Sequence, residues 1–218
     1  MVNLFLFMAD RADEILRLTG QHLYLSTMGV LLGMLVGIPL GILLTRRRNL
    51  SAPVLCIANI LQTIPSLALL GLLIPLLGIG SPPAIVALFV YSLLVIIRNT
   101  YTGINQVDKS MIEAGVGMGM TNFQILRMVE LPLAFPVIMA GIRVATVTCV
   151  GIATLCAAIG AGGLGQFIFR GIAMVNNNMI LTGAIPAALL ALFLDFILGR
   201  FEKALSPRGL KIKRRNDV

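Results

Sequence analysis

Residues able to do chemistry are few and scattered along this sequence. The single histidine, His22, has no serine and acid partners at a spacing that would assemble a nucleophile and base. It stands beside Gln21 just ahead of an apolar run, where an interfacial position is expected. Cys56, Cys149 and Cys156 all fall in apolar stretches without C-x-x-C or metal-ligand spacing, and read as packed thiols. The glycine-rich run at 160–165, carrying Gly160, Gly162, Gly163 and Gly165, resembles a phosphate loop in composition only. No strand precedes it, so close backbone packing is the expected use. Asn59, Gln62, Thr63 and Ser66 cluster around Pro65 inside an apolar run. Facing lipid would be costly for them, so they are expected to face other helices or a water-filled path. Arg143 and Asp195 also interrupt apolar runs. At about 1.5 Å per helical residue they lie at comparable depths, and isolated buried charges are expensive, so the two are expected to pair.

The elements that must position these residues follow from composition. Hydrophobic residues make up 58% of the 218 and charged residues only 12%, with a mean hydropathy of +0.97. A soluble domain has no means of hiding that much apolar surface, and uncharged runs of about 18 residues or more match the hydrocarbon core of a bilayer. The net charge of +8 would suit nucleic acid only if it formed a basic face. Here the cations sit in short blocks between apolar runs, which excludes that partner and favours membrane lipid. The apolar opening at 1–9 is short, lacks a basic leader and runs into Asp10, so it reads as neither a signal peptide nor a span.

The predicted fold is all-α: a polytopic membrane bundle with spans at about 23–44, 52–78, 84–97, 136–159 and 178–199. Residues 1–19 form an extracytoplasmic segment, 20–199 the transmembrane domain and 200–218 a basic tail. Pro53, Pro65 and Pro75 make the second run the one open to breakage or re-entry. Orientation follows from the 17 Lys and Arg. With the N-terminus outside, only Arg11, Arg17 and Arg170 fall on the outer side, Arg143 lies in a span, and all others collect inside. The rule that cations stay cytoplasmic therefore predicts five helices, N-out and C-in. The tail cations from Arg208 to Arg215 serve as a topology anchor or bind anionic headgroups.

The polar interior stretch at 99–135 lies on the predicted inner side. Ser110 with Glu113, and Thr121 with Gln124, have capping-box spacing and predict two short helices. Gly115, Gly117 and Gly119 separate them, and the second helix, at about 122–129, is expected to end before Pro132. Glu113, Ala114, Gly115, then Gly119, then Val129, Leu131 and Pro132 resemble the Glu-Ala-Ala loop of bacterial binding-protein-dependent ABC importers. Gly115 replaces an alanine of that pattern and Val129 an isoleucine. The resemblance extends from about residue 20 to 207. Through QTIPSLALLG at 62–71, RNTYTGI at 98–104, LPLAFPVIMAGIR at 131–143 and GAGGLG, it is closest to the osmoprotectant branch that imports glycine betaine, choline or carnitine. GAGGLG is also similar to methionine permeases.

That resemblance implies a permease subunit in the bacterial plasma (inner) membrane, coupled through a two-helix loop to a separate ATP-binding subunit. The nucleotide-loop signature Gly…Gly-Lys-Ser/Thr is absent from the sequence, so ATP and Mg are expected on that partner and no cofactor or catalytic residue here. Two ATP-binding subunits, a second permease chain, identical or homologous, and an extracytoplasmic substrate-binding protein complete the expected assembly. With no Trp and only three tyrosines, an aromatic cage for a quaternary ammonium is not expected within the chain. A methionine or amino-acid permease remains the alternative. A secondary carrier would call for midplane carboxylates and an inverted repeat, and neither stands in the sequence.

Overall fold

An apolar helix in hydrocarbon gains little from meeting another apolar helix, so close pairing rests on small residues that let backbones approach. The sequence supplies them at Gly29, Gly33, Gly37 and Gly41, four apart and therefore on one helix face. The structure, a computed structural model, describes residues 4–205. Among these the chain forms α1 (Leu4–Ala9), α2 (Ala12–Arg46), α3 (Arg48–Thr63), α4 (Ser66–Leu77) and α5 (Ser81–Asn105). There follow α6 (Lys109–Gly117), α7 (Asn122–Ile125), α8 (Leu131–Cys156), α9 (Gly165–Ala173) and α10 (Asn177–Leu205). A π turn over Leu126–Glu130 joins α7 to α8, and a 3-10 turn over Ala157–Ile159 follows α8.

The glycine stripe of α2 meets Leu88, Ser92, Ile96 and Thr100 of α5, one partner per glycine. A Cβ added at Gly29 would stand 2.5 Å from the Leu88 Cβ, and one at Gly41 2.6 Å from the Thr100 Cβ. Ser92 uses this closeness to donate its hydroxyl to the Gly29 carbonyl at 3.0 Å. On its other side α5 packs against α8, where Gly141 admits Asn99. These three helices enclose the main core, which includes Leu70, Leu88, Ile96, Ala145 and Cys149. Helix α10 packs on α8 and α9 and leaves Leu189, Leu192, Phe193 and Phe196 exposed, as a lipid-facing helix should.

Two sets of contacts define opposite faces of the bundle. At one face Arg46, the last residue of α2, reaches Glu130 beside the start of α8. At the other the Gly80 N–H donates to the Ile159 carbonyl at 2.9 Å, and Arg170 pairs with Glu14 at 2.8 Å. The α3–α4 pair starts at the first face and ends at the second, so it crosses once, and the described residues pass between the two faces five times.

The structure corrects several boundaries. The predicted second span is two helices bent by 97°. Of its three prolines only Pro65 breaks the helix, since Ile64 before it is extended at φ −66° and ψ 125°, whereas Pro53 and Pro75 lie inside α3 and α4. The break leaves the Ile64 carbonyl without a helical partner, and the Tyr91 hydroxyl donates to it. The first helix does not wait for residue 23. It starts at Ala12, burying Leu18 and His22, so most of the segment expected as 1–19 is helical. Arg98 does not close the third span, because Asn59 accepts from its guanidinium at 2.7 Å and α5 continues to Asn105. Helix α10 passes 199 to Leu205, while the tail cations from Arg208 to Arg215 lie outside the described residues. Cys149 and Cys156 are buried as expected, but Cys56 is exposed on α3.

Gly41→Val should overpack the α2–α5 seam at a cost of about 1–3 kcal/mol and lower the yield of monodisperse detergent-solubilised protein. Gly151→Ala, whose new methyl meets nothing within 4 Å, should leave that yield unchanged.

Candidate coupling and translocation site

Between α5 and α8 the chain leaves the apolar bundle and folds back on itself. Asp108 begins α6: it is extended at φ −59° and ψ 129°, and its carboxylate accepts from the Ser110 N–H at 2.9 Å. The expected Ser110–Glu113 box is therefore not the cap, because a charged acceptor two residues earlier takes the first turn. Helix α6 ends in a Schellman motif. Gly119 adopts φ +80°, and the Met120 N–H reaches the Gly115 carbonyl at 3.1 Å. Of the three expected separator glycines only Gly119 makes the turn; Gly115 and Gly117 are inside α6, with Gly115 buried against Ile125. The Thr121–Gln124 capping box then starts α7 with both reciprocal bonds formed.

Helix α7 does not stop before Pro132. It runs through the π turn into α8, and the Leu131 N–H reaches the carbonyl of Leu126, five residues back. Pro132 falls within the first two residues of α8, where a missing N–H is tolerated, so a proline read as a terminator is absorbed. The span predicted from 136 thus begins at Asn122, and of the stretch 99–135 only the middle lies off the long helices. Glu113 and Ala114 are exposed, and Val129, Leu131 and Pro132 are half-buried at the junction with the bundle. Around them Met111, Val116, Met118, Phe123 and Met128 project from this otherwise polar loop, with Met118 75% and Phe123 69% exposed. An apolar knob at the end of a rigid helix is suited to docking in a groove of another protein. The sequence reading missed it because these residues are spread over both short helices.

The Ile64–Pro65 break lies level with Tyr91, ten residues into the 25-residue α5 and so near its middle. Asn59, Gln62, Thr63 and Pro65 are exposed on this chain and Ser66 is half-buried. Asn59 is held by Arg98, and the Thr63 hydroxyl bonds to the Ile60 carbonyl of its own helix. The break thus places these polar groups near mid-depth of the bundle.

At the opposite face the glycine-rich run wraps over the start of α2. Gly160, at φ +77°, ends the turn after α8, while Gly162 and Gly163 take φ of +88° and +80° against Gln21 and His22. Gly165 lies so close to the Thr154 carbonyl that a side chain has no room. His22 is not interfacial but fully buried. Its Nε2 lies 2.9 Å from the Val150 carbonyl and its Nδ1 accepts from the Leu164 N–H at 3.3 Å, so the ring ties α2, α8 and the loop together. Arg143 meets Asp195 through two bonds of 2.9 and 3.0 Å and donates a third to Glu202 at 2.9 Å, joining α8 to α10. Glu202 went unnoticed in the sequence because it lies beyond the expected end of the last span.

Five crossings, a helix broken at mid-depth and an apolar knob beyond the bundle define a multi-pass membrane protein. Residues 29–210 match the family described as binding-protein-dependent transport system inner membrane component. The chain belongs to this family of ABC importer permeases: it works in the inner membrane with ATP-binding and substrate-binding partners, and ATP hydrolysis is the work of a separate subunit. It is 48% identical over 211 residues to the glycine betaine/carnitine/choline transport system permease protein OpuCB of Bacillus subtilis, covering 97% of each chain. To the osmoprotectant import permease protein OsmW of Salmonella typhimurium it is 46% identical over 210 residues, covering 94% of this chain and 98% of that one. Among solved structures it resembles the MetNI methionine ABC transporter in an inward-facing conformation, with a TM-score of 0.81 and 28% identity over 88% of this chain and 96% of that one.

Gly119→Val should destabilise the α6–α7 turn by about 1–2 kcal/mol, because a β-branched residue is strained at positive φ. No atom lies within 4 Å of the site, so the loss is conformational. Hydrogen exchange of the α6 amides should accelerate while those of α2 and α5 stay protected.

Proposed function

We propose that this permease carries a quaternary-ammonium osmoprotectant of the glycine betaine, choline and carnitine class into the cell. The observation that carries the reading is the near full-length similarity to one permease whose name gives those three solutes and to another named for osmoprotectant import. Among the described residues the three tyrosines form no aromatic cage: Tyr91 is engaged at the helix break, Tyr24 is exposed and Tyr101 half-buried. The chain therefore provides a weak passage past Asn59, Gln62, Thr63, Pro65 and Ser66, and affinity resides in an extracytoplasmic receptor. The methionine alternative draws on the fold likeness to the methionine transporter at 28% identity.

In this reading residues 20–199 are the transmembrane domain, oriented N-out and C-in so that the knob faces the cytoplasm. Glu113, Ala114, Gly115, Gly119, Val129, Leu131 and Pro132 frame the segment that docks in an ATP-binding subunit. Two such subunits, holding ATP and Mg, act on a pair of permease chains that enclose the path between them. Gly160, Gly162, Gly163 and Gly165 form the close-packed outer gate.

Reconstitution in proteoliposomes with the ATP-binding and receptor subunits tests the substrate class. ATP hydrolysis should rise with glycine betaine, choline or carnitine and not with methionine; the reverse pattern would move the chain to the amino-acid branch. Phe123→Asp should weaken docking by about 2 kcal/mol, roughly thirtyfold, as for an aromatic anchor. Co-purification of the ATP-binding subunit reads this, with membrane insertion unchanged. Cysteine at Gln62, with Cys56 replaced by Ser, should react with a polar thiol reagent from one side only during turnover.

A further inference from the structure

Among the described residues Glu130 is the one buried acidic residue, 3% exposed, and it closes the π turn between the loop and α8. Both its carboxylate oxygens are engaged by the guanidinium of Arg46, Nη1 reaching Oε1 at 3.1 Å and Nη2 reaching Oε2. A two-pronged arginine–carboxylate contact fixes orientation as well as distance. Arg46 is the last residue of the 35-residue α2. Twenty-four residues earlier, about 36 Å along the same helix, His22 and its neighbour Gln21 hold the glycine-rich run at the opposite face. Between these ends α2 is seated on α5 by its glycine stripe.

Helix α8 is continuous with α7, so displacement of the loop reaches it through the chain itself. Helix α2 has no such direct path along the chain, and the half-buried ion pair supplies a non-covalent one. From this arrangement we propose that Glu130 and Arg46 form a latch that delivers motion of the coupling segment to α2. Through α2 the motion reaches the glycine-rich loop at the far face. The latch rests on the coupling role given to this segment above. In this role both are positioning residues, transmitting force along a rigid helix.

The test uses the complete reconstituted complex, with turnover measured as solute moved per ATP hydrolysed. Glu130→Gln keeps the shape and removes the charge. The complex should assemble and hydrolyse ATP, while solute moved per ATP falls about tenfold. The double exchange Arg46→Glu with Glu130→Arg should recover most of that ratio. A cysteine at Ala161, with Cys56 replaced by Ser, reports the far face. Its reactivity should change with ATP in the otherwise unaltered complex and lose that response with Glu130→Gln, which a contact serving folding alone would not produce. An unaltered ratio and an unaltered Ala161 response in an assembled Glu130→Gln complex would overturn the latch. If Glu130→Gln does not assemble, Arg46→Gln removes the contact from its solvent-exposed side; failure of both to assemble would make the pair a folding contact and overturn the proposal. Absence of substrate-stimulated hydrolysis in the unaltered complex would instead refute the transport reading on which the latch depends.

Discussion

Within hydrocarbon no water is present to satisfy a peptide group, and every N–H and C=O that leaves a helix must find a partner inside the protein. The architecture is organised around that constraint. Where Pro65 breaks the second crossing, the Tyr91 hydroxyl takes the orphaned Ile64 carbonyl. Where the glycine-rich run leaves α8, the Leu164 and Gly163 amides are taken by His22 and Gln21. At both breaks a polar side chain from a neighbouring helix is on hand.

The same economy explains the seams. Hydrophobic contact does not separate one helix pair from another in lipid, so specificity comes from shape and from a few polar links. The glycine stripe of α2 and its facing row on α5 make one rigid pair, with the Ser92 hydroxyl pinned to the Gly29 carbonyl. Arg143, bridging Asp195 and Glu202, fastens α10, whose apolar contacts with the rest are modest. The result is a centre of α2, α5 and α8 with α10 at its edge, closely seated where Gly183 meets the Leu164 carbonyl.

The all-α class and the apolar helices, with the bent pair counted as one, were legible in the sequence because each rests on local signals: long uncharged runs for the spans and a capping box at Thr121 for α7. Equal depth along two helices brought Arg143 and Asp195 into register, and the structure joins them. What stayed hidden depended on choices between equivalent signals. Three prolines looked alike, and only the one whose carbonyl neighbour has Tyr91 opposite breaks the helix. Three glycines looked like hinges, and only Gly119 sits where a Schellman motif requires positive φ. His22 lay too near a predicted boundary to be placed, since burial at Val150 and Leu164 is a long-range fact. The stripe at Gly29, Gly33, Gly37 and Gly41 was visible as a four-residue repeat and went unread.

An odd number of crossings leaves Leu4 and Leu205 on opposite sides of the bilayer. Two copies of the 4–205 segment fused directly head to tail would consequently insert with the second upside down, and one knob would face each aqueous compartment. Were two parallel copies to share a motor on one side, they would have to be separate polypeptides or be fused through an added transmembrane linker. The parity of the fold, set by a single bent helix pair counting as one passage, is in this way a constraint on how the transporter is encoded.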